Sequence, residues 1–386
     1  MWARFLLVLA ASTAVAESFP AGEIVDNVGC LAAGDQHYAL YLPSNYSPDR
    51  KWPVLYLFDA GGRGRRGVER YQAGAEKYGY ILAGSNNSRN GPWEVSAAAA
   101  RAMTTDVTTR FAVDHARLYT GGMSGGARVA MNVALASKES GIDVAGVFAS
   151  SAAWPGRAEA SVPFPVFGSA GSDDFNHQEM RTLDLNLKSP HRILYFEGGH
   201  EWLPSNLATE GVEWMELQAI RAGKRARDRA FIAGLFAAHA ARAEKETNSA
   251  EQFRLYTNLV ADFQGLQPDV NAYAKRAEEL KNRKEVRAAL EADQKEDRNE
   301  TQITNEVYRS RDRVTDDLVM RVSEFANLKR QLHELASQAD AKDDTSERRV
   351  ARRVLTGFVA SSRQIRDEQF QALLEEVRPA QTRQER

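Results

Sequence analysis

The sequence predicts an α/β fold, a mostly parallel sheet with helices on both faces, followed by an α-helical C-terminal region. Between residues 38 and 196, short apolar runs typical of buried strands alternate with segments that are mostly long enough for a crossover helix. From residue 223 onward, charged stretches are interrupted by apolar residues three and four positions apart, the spacing of amphipathic helices. The change of pattern near residue 222 predicts two structural regions.

The predicted sheet consists of seven apolar runs. They lie at residues 38–42, 54–58, 80–85, 117–120, 146–150, 165–170 and 192–196. Residues 206–221 should form the last helix packed on this sheet, because Ala208, Val212 and Met215 recur at helical spacing. We therefore expect one domain over residues 17–222 and a helical region over residues 223–386.

The first 16 residues have the composition of a cleaved secretory signal. Arg4 precedes an apolar run, and the small residues at 14–16 are suited to cleavage. The apolar run is far shorter than the ~20 residues that cross a bilayer, so no membrane span is expected in the mature chain. The segment predicts a secreted or periplasmic location.

The composition of the chain argues against several classes of function. The chain has 386 residues and a net charge of -2, so nothing in its charge balance suggests nucleic-acid binding. Cys30 is the only cysteine, which excludes an internal disulfide and favours a small buried hydrophobe. No His and Cys cluster has metal-ligand spacing, so neither a metal nor another cofactor is expected.

The segment Gly122-Met123-Ser124-Gly125-Gly126 is the strongest local motif. It lies between the predicted strand 117–120 and a small-residue run that is compatible with a helix. A sharp strand-to-helix turn needs flanking glycines so that the backbone folds back and the serine hydroxyl projects outward. The motif therefore predicts that Ser124 is a nucleophile.

An acid and a histidine follow at the ends of later strands. Asp173 and Asp174 come after the predicted strand 165–170, and His200 comes after the strand 192–196. The order serine, acid, histidine is that of the α/β-hydrolase fold. Asp174 is the preferred acid, Asp173 is the alternative, and His200 is the expected base.

Acyl transfer also needs backbone N–H groups aimed at the developing oxyanion. The amide of Gly125 directly follows the nucleophile and is one candidate. The second donor usually comes from the loop after the third strand, where Gly61 is the preferred candidate and Ala60 the alternative. That loop lacks the usual histidine-glycine form, so an ordinary glycine-rich turn remains an alternative.

Three residues near the predicted strand ends are candidate substrate contacts. They are Asn87, Trp93 and Trp202, and ordinary packing is the alternative for each tryptophan. The segment between Ser150 and Pro165 is too short for a large helical lid. The site should therefore be open and accept bulky or polymeric ester substrates.

The C-terminal region contains two apolar stripes. One runs through Val314, Leu318, Val322, Phe325, Leu332 and Leu335, and the other through Val350, Val354, Phe358 and Ile365. Residues 231–263 also weakly resemble one tetratricopeptide unit. Simple helix packing is one interpretation, and docking of substrate or of a protein partner is the other.

Several segments together resemble a known enzyme group. Residues 38–46, 52–55 and 114–119, with the Ser124 motif, are similar to secreted bacterial serine esterases of the α/β-hydrolase superfamily. Within it they look most like the polyhydroxybutyrate-depolymerase-like or phospholipase/carboxylesterase-like branch. The similarity covers residues 30–220 and implies nucleophile Ser124, acid Asp174 and base His200.

The sequence is also compatible with two rival functions. The same triad cleaves amides in serine peptidases of this fold. Alternatively, the helical tail is the functional part and the hydrolase domain is a scaffold. Hydrolysis of short acyl esters but not of aminoacyl anilides would favour an esterase, and turnover of neither would favour the scaffold.

Overall fold

The computed structural model describes residues 18–137, 143–153, 161–316 and 321–379. The predicted signal segment lies outside these residues. So does the stretch 154–160, on which the prediction of a lidless site partly depends.

An eight-stranded sheet forms the centre of the first region. Its strands are β1 (Ile24–Cys30), β2 (Ala33–Tyr41), β3 (Trp52–Asp59), β4 (Ile81–Ser85), β5 (Val113–Met123), β6 (Val144–Ser150), β7 (Val166–Gly171) and β8 (His191–Phe196). They are ordered β1-β2-β4-β3-β5-β6-β7-β8. Strand β2 pairs antiparallel with both β1 and β4, and the remaining pairs are parallel.

Five helices cover the two faces of this sheet. They are α1 (Gly64–Tyr78), α2 (Trp93–Arg110), α3 (Gly125–Ser137), α4 (His177–Asn186) and α5 (Ser205–Arg221). Side chains of α2, α3 and α4 share one apolar cluster with the sheet, and those of α1 and α5 share another. A mostly parallel sheet is stable only when both faces are covered in this way. The strand order and the two helical layers are those of the α/β-hydrolase fold, which confirms the predicted fold class.

The seven predicted strands correspond to β2 through β8, and β1 was not predicted. Strand β1 lies at the sheet edge, and only Val28 and Cys30 of its residues are buried. Its sequence lacks the continuous apolar run by which the other strands are recognised, because the exposed Asp26 and Asn27 interrupt it.

Seven helices follow α5 in the described part of the chain. They are α6 (Arg229–Lys245), α7 (Ser249–Phe263), α8 (Val270–Lys281), α9 (Lys284–Asp316), α10 (Arg321–Ala339), α11 (Ser346–Ser362) and α12 (Glu368–Glu376). The C-terminal region is therefore helical, as predicted. No helix in the described ranges combines the length and the apolar composition needed to cross a bilayer.

The first predicted stripe is only partly correct. Val314, Leu332 and Leu335 are buried in one cluster, but Val322 is 85% exposed, and Leu318 lies outside the described residues. Of the described members, Val314 belongs to α9 and the other four belong to α10.

The helical region packs directly against the last helix of the sheet region. Leu217 and Ile220 of α5 lie in one buried cluster with Ile232 of α6 and Phe263 of α7. Asp262 of α7 adds a polar contact, because it accepts a hydrogen bond from Trp214 Nε1 at 2.8 Å. The helical region thus covers apolar surface of the sheet region.

Candidate active site

Ser124 occupies a sharp turn between β5 and α3. Its φ of 57° lies in the left-handed region, which is unfavourable for a residue with a side chain and costs of order 1 kcal/mol or more. The amide of Ser124 donates to the carbonyl oxygen of Ser150 at 2.8 Å, so the turn is anchored to β6. The geometry is that of a serine presented at the carboxyl edge of a sheet.

Gly126 explains why this turn requires glycine. A Cβ atom added there would lie 2.0 Å from the carbonyl oxygen of Phe58, well inside van der Waals contact. Helix α3 therefore begins against the backbone of β3, and this close approach fixes the position of Ser124.

Three of the predicted residues form one hydrogen-bonded chain. His200 Nε2 lies 2.8 Å from Ser124 Oγ, and His200 Nδ1 lies 2.7 Å from Asp174 Oδ1. Asp174 is fully buried, whereas the side chain of His200 is 21% exposed. A hydroxyl, an imidazole and a buried carboxylate are thus arranged so that a proton can leave the hydroxyl.

The structure distinguishes the two neighbouring aspartates by their contacts. Asp174 Oδ1 also accepts from the amide of Asn176 at 2.8 Å, which fixes the carboxylate facing His200. The carboxylate of Asp173 instead pairs with Arg352 of α11, with 3.1 Å between Oδ2 and Nη1. Of the two candidates, only Asp174 has a hydrogen bond to His200 among the described contacts.

Phe175 is a site neighbour that sequence reasoning did not single out. Its ring is stacked on His200, with 4.0 Å between centroids and 30° between planes. Its position directly after the acid was the available signal, but apolar residues near active-site loops are common and usually belong to the core.

The two predicted oxyanion donors differ in their surroundings. Gly125 is the first residue of α3, where backbone N–H groups have no acceptor within the helix, and the side-chain oxygen of Asn90 lies against its Cα. The amide of Gly61 donates to Asp59 Oδ1 at 2.8 Å. Gly61 therefore has an acceptor already, and its role as an oxyanion donor stays a prediction that requires this bond to break.

Asp59 organises the loop after β3. This buried carboxylate accepts from Arg63 Nε at 2.7 Å and from Trp202 Nε1 at 3.1 Å, besides the Gly61 amide. Trp202 is itself buried and packs against Gly67 of α1. These contacts favour a structural role for Trp202 over the predicted substrate contact.

The other two predicted substrate contacts, Asn87 and Trp93, likewise have their described contacts outside the triad. Asn87 Oδ1 accepts from the amide of His37 at 2.7 Å, and its Nδ2 donates to the carbonyl of Asp35 at 3.0 Å. Asn87 thus holds the start of β2. Trp93 is exposed and lines a cavity of about 460 Å³ between α2 and α3, whose described lining does not include Ser124 or His200.

His177, at the start of α4, lies beside the acid. Its Nδ1 donates to the carbonyl of Gly171 at 3.1 Å. Burial, reinforced by the positive charge of Arg353, lowers the pKa of His177 to about 4. This histidine is therefore neutral near pH 7 and acts as a packing and hydrogen-bonding group.

No protein-family model and no curated protein sequence matches this chain. Solved structures do show similarity. Est1E from Butyrivibrio proteoclasticus matches with 16% identity and a TM-score of 0.40, over 50% of this chain and 99% of its own. A hyperthermophilic esterase from the archaeon Pyrobaculum calidifontis matches with 12% identity and a TM-score of 0.38, over 52% and 85% of the two chains.

A peptidase shows similarity of the same degree. Dipeptidyl peptidase 4 from Porphyromonas gingivalis matches with 15% identity and a TM-score of 0.37, over 50% of this chain and 35% of its own. Each of these matches spans about half of this chain, and TM-scores below 0.5 assign neither a reaction nor a substrate.

Proposed function

We propose that the protein is a serine hydrolase that cleaves carboxylic esters through an acyl-enzyme on Ser124. The observation that carries this proposal is the hydrogen-bonded chain from Ser124 through His200 to the buried Asp174, with distances of 2.8 and 2.7 Å. The left-handed backbone of Ser124 supports it, because such strain persists where the surrounding structure imposes it and is concentrated at functional sites.

In the proposed first half-reaction, Ser124 Oγ attacks the acyl carbon while its proton moves to His200 Nε2. Asp174 stabilises the imidazolium and keeps Nδ1 protonated. The amide of Gly125 donates to the oxyanion of the tetrahedral intermediate. The intermediate collapses when the bond to the alcohol oxygen breaks and His200 returns the proton to that oxygen, which leaves an ester on Ser124.

The second half-reaction uses water in place of the alcohol. His200 takes a proton from the water as its oxygen attacks the acyl carbon, and returns a proton to Ser124 Oγ as the acyl bond breaks. The products are a carboxylic acid and the free serine. His200 accepts and returns each proton that moves, and neither a metal nor another cofactor enters the proposed cycle.

An ester substrate is favoured over a peptide by the sequence resemblance to secreted bacterial esterases over residues 30–220. The signal-like segment at residues 1–16 supports a secreted or periplasmic location. We further propose that the substrate is bulky or polymeric, because the short connection between Ser150 and Pro165 has no room for a large helical lid.

The test is the mass of the intact protein after treatment with a fluorophosphonate, which labels an activated serine without knowledge of the substrate. Wild type should gain one adduct, whereas Ser124→Ala and heat-denatured wild type should gain none. If folded wild type is not labelled, the proposed mechanism is wrong, and the helical region becomes the candidate functional part.

A substrate screen then separates the rival reactions. Release of p-nitrophenol from acyl esters without release of p-nitroaniline from aminoacyl anilides is the expected result. Faster cleavage of the anilides would instead identify a serine peptidase of the same fold.

A further inference from the structure

The C-terminal helical region contacts the loop that carries the triad acid. We define the acid loop as residues 172–176, which connect β7 to α4. We infer that α11 positions this loop, and that Arg353 and Arg352 are positioning residues for the reaction at Ser124. This inference rests on the proposed hydrolase function.

Arg353 provides the central contact. Its side chain is 1% exposed, and its Nη1 donates to the carbonyl oxygen of Ser172 at 2.7 Å. The same guanidinium donates from Nε to Glu300 at 2.9 Å and from Nη2 to Glu296 at 2.7 Å, both on α9. A planar guanidinium that donates hydrogen bonds from several nitrogen atoms has little conformational freedom. The backbone two residues before Asp174 is therefore fixed relative to α9 and α11.

Core stability alone does not account for a buried arginine at this place. A buried ion pair contributes little net stability, and well-packed apolar side chains often serve as well or better. An apolar side chain, however, has no donor for the carbonyl of Ser172. Besides the two glutamates of α9, the group that needs this buried donor is therefore the Ser172 carbonyl of the acid loop.

Arg352 holds the same loop from the next position of α11. Its Nη1 lies 3.1 Å from Asp173 Oδ2, and its Nε donates to the carbonyl of Ala339 at 2.7 Å. The amide of Asp173 donates to the carbonyl of Gly198, in the loop that carries His200. Arg352 thus restrains the residue that lies directly before the acid and is bonded to the loop of the base.

A third contact connects α11 to the proposed base, His200, through the side chain of Phe175. Gly357 lies one helical turn after Arg353, so both residues share a face of α11. A Cβ atom added at Gly357 would lie 3.3 Å from Cβ of Phe175, whose ring is stacked on His200. Helix α11 therefore passes beside Phe175, the residue whose ring packs against the proposed base.

The inference predicts that loss of the Arg353 contact slows chemistry without weakening substrate binding. In Arg353→Met, we expect the rate of fluorophosphonate labelling and kcat for p-nitrophenyl acetate to fall about 10- to 100-fold, since small misplacements of catalytic groups have effects of this size. The KM should stay nearly unchanged. Arg353→Lys keeps one donor and should restore part of the rate.

The pH profile distinguishes positioning from general destabilisation. If Asp174 moves away from His200, the imidazolium loses its carboxylate partner, so the acid limb of kcat/KM should move to lower pH. Asp174→Asn serves as the reference for complete loss of the carboxylate.

Arg192→Met is the matched control. Arg192 on β8 forms a buried ion pair with Asp262 of α7, at 2.5 Å, and so also joins the sheet to the helical region. No described contact joins it to the acid loop. Arg192→Met should lower the unfolding temperature, as Arg353→Met does, but it should leave the labelling rate and the pH profile at wild-type values.

A second variant keeps the test decisive if Arg353→Met does not fold. Gly357→Val pushes on Phe175 while leaving both arginines in place, and should slow labelling about tenfold. Gly234→Val is its control, because nothing lies within 4 Å of a Cβ at Gly234 in α6.

Two failures are separable in these measurements. If wild type is not labelled, the proposed function fails. If wild type is labelled and the folded Arg353 and Gly357 variants are labelled equally fast, α11 has no positioning role and the inference is overturned.

Discussion

At the scale of single residues, Asn87 and Asn90 lie in the same loop after β4 but have different surroundings. Both hydrogen-bonding ends of Asn87 are bonded to backbone at the start of β2. The side-chain oxygen of Asn90 lies against Gly125, next to Ser124. One asparagine thus supports the fold, and the other lies beside the proposed nucleophile.

Asn87→Ala should lower the free energy of unfolding by about 1 to 2 kcal/mol, because it leaves the amide of His37 without its acceptor. The KM for an ester substrate should not change. Asn90→Ala is the comparison, and should alter kcat/KM with little loss of stability. Denaturant unfolding and steady-state kinetics measure both quantities. A raised KM in Asn87→Ala would restore the substrate-contact role expected from sequence.

The low pKa of His177 predicts a dependence of stability on pH. Because its pKa is about 4 in the folded state and 6.5 in the reference state, the unfolded chain takes up the proton first as the pH falls. Stability from this group is therefore present above pH 6.5 and is lost as the pH falls toward 4. The shift corresponds to about 3 kcal/mol.

His177→Asn, which retains a donor for the carbonyl of Gly171, should flatten this dependence. Urea unfolding at several pH values between 4 and 8 measures it, as the difference between wild type and variant. His115→Asn, at an exposed position, is the control. Equal slopes for wild type and His177→Asn would show that His177 does not titrate in the predicted way.

At the scale of elements, the turn from β5 to α3 depends on backbone contact between neighbouring elements. Gly126→Ala would place a Cβ 2.0 Å from the carbonyl of Phe58, so α3 or β3 must move. We expect a loss of at least about 2 kcal/mol in the free energy of unfolding and slower labelling of Ser124.

Gly234→Ala provides the matched control for that substitution. Gly234 lies within α6 with open space around it, so alanine should stabilise the helix by about 0.5 to 1 kcal/mol. Thermal unfolding of the two variants compares them directly. Similar stability of Gly126→Ala and wild type would contradict the close approach of α3 to β3.

At the scale of the whole molecule, the helical region is integrated with the sheet region. It covers Leu217 and Ile220 of α5, and it pairs Asp262 with the buried Arg192. It also contributes Arg353, which holds the carbonyl of Ser172. These contacts differ from those of a module attached through a linker.

A chain ending at Gly223 should therefore be poorly soluble or unfold without cooperativity. Removal of α6 and α7 exposes Leu217 and Ile220 of α5 and takes away Asp262, the partner of both Arg192 and Trp214. Soluble yield, thermal unfolding and fluorophosphonate labelling test this expectation. A soluble, cooperatively folded product labelled at the wild-type rate would show that the helical region is dispensable.

Local sequence patterns determined most of the fold. Seven of the eight strands, the last helix on the sheet and the helical character of the C-terminal region follow from apolar periodicity, which reflects burial directly. The turn at Ser124 was predictable because the spacing of its glycines indicates where the backbone must turn sharply from strand to helix. Its catalytic role, like those of Asp174 and His200, stays a prediction.

Only the tertiary structure decided between residues with the same local setting. Asp173 and Asp174 are adjacent in the chain. The structure distinguishes them because Asp173 pairs with Arg352, which lies 179 positions after it. Trp202 was equally ambiguous until the fold placed Asp59 beside it. The contact of Arg353 with Ser172 had no sequence signal at all. Long-range hydrogen bonds and ion pairs leave no periodic trace in a sequence, because their partners are brought together by packing of the whole chain.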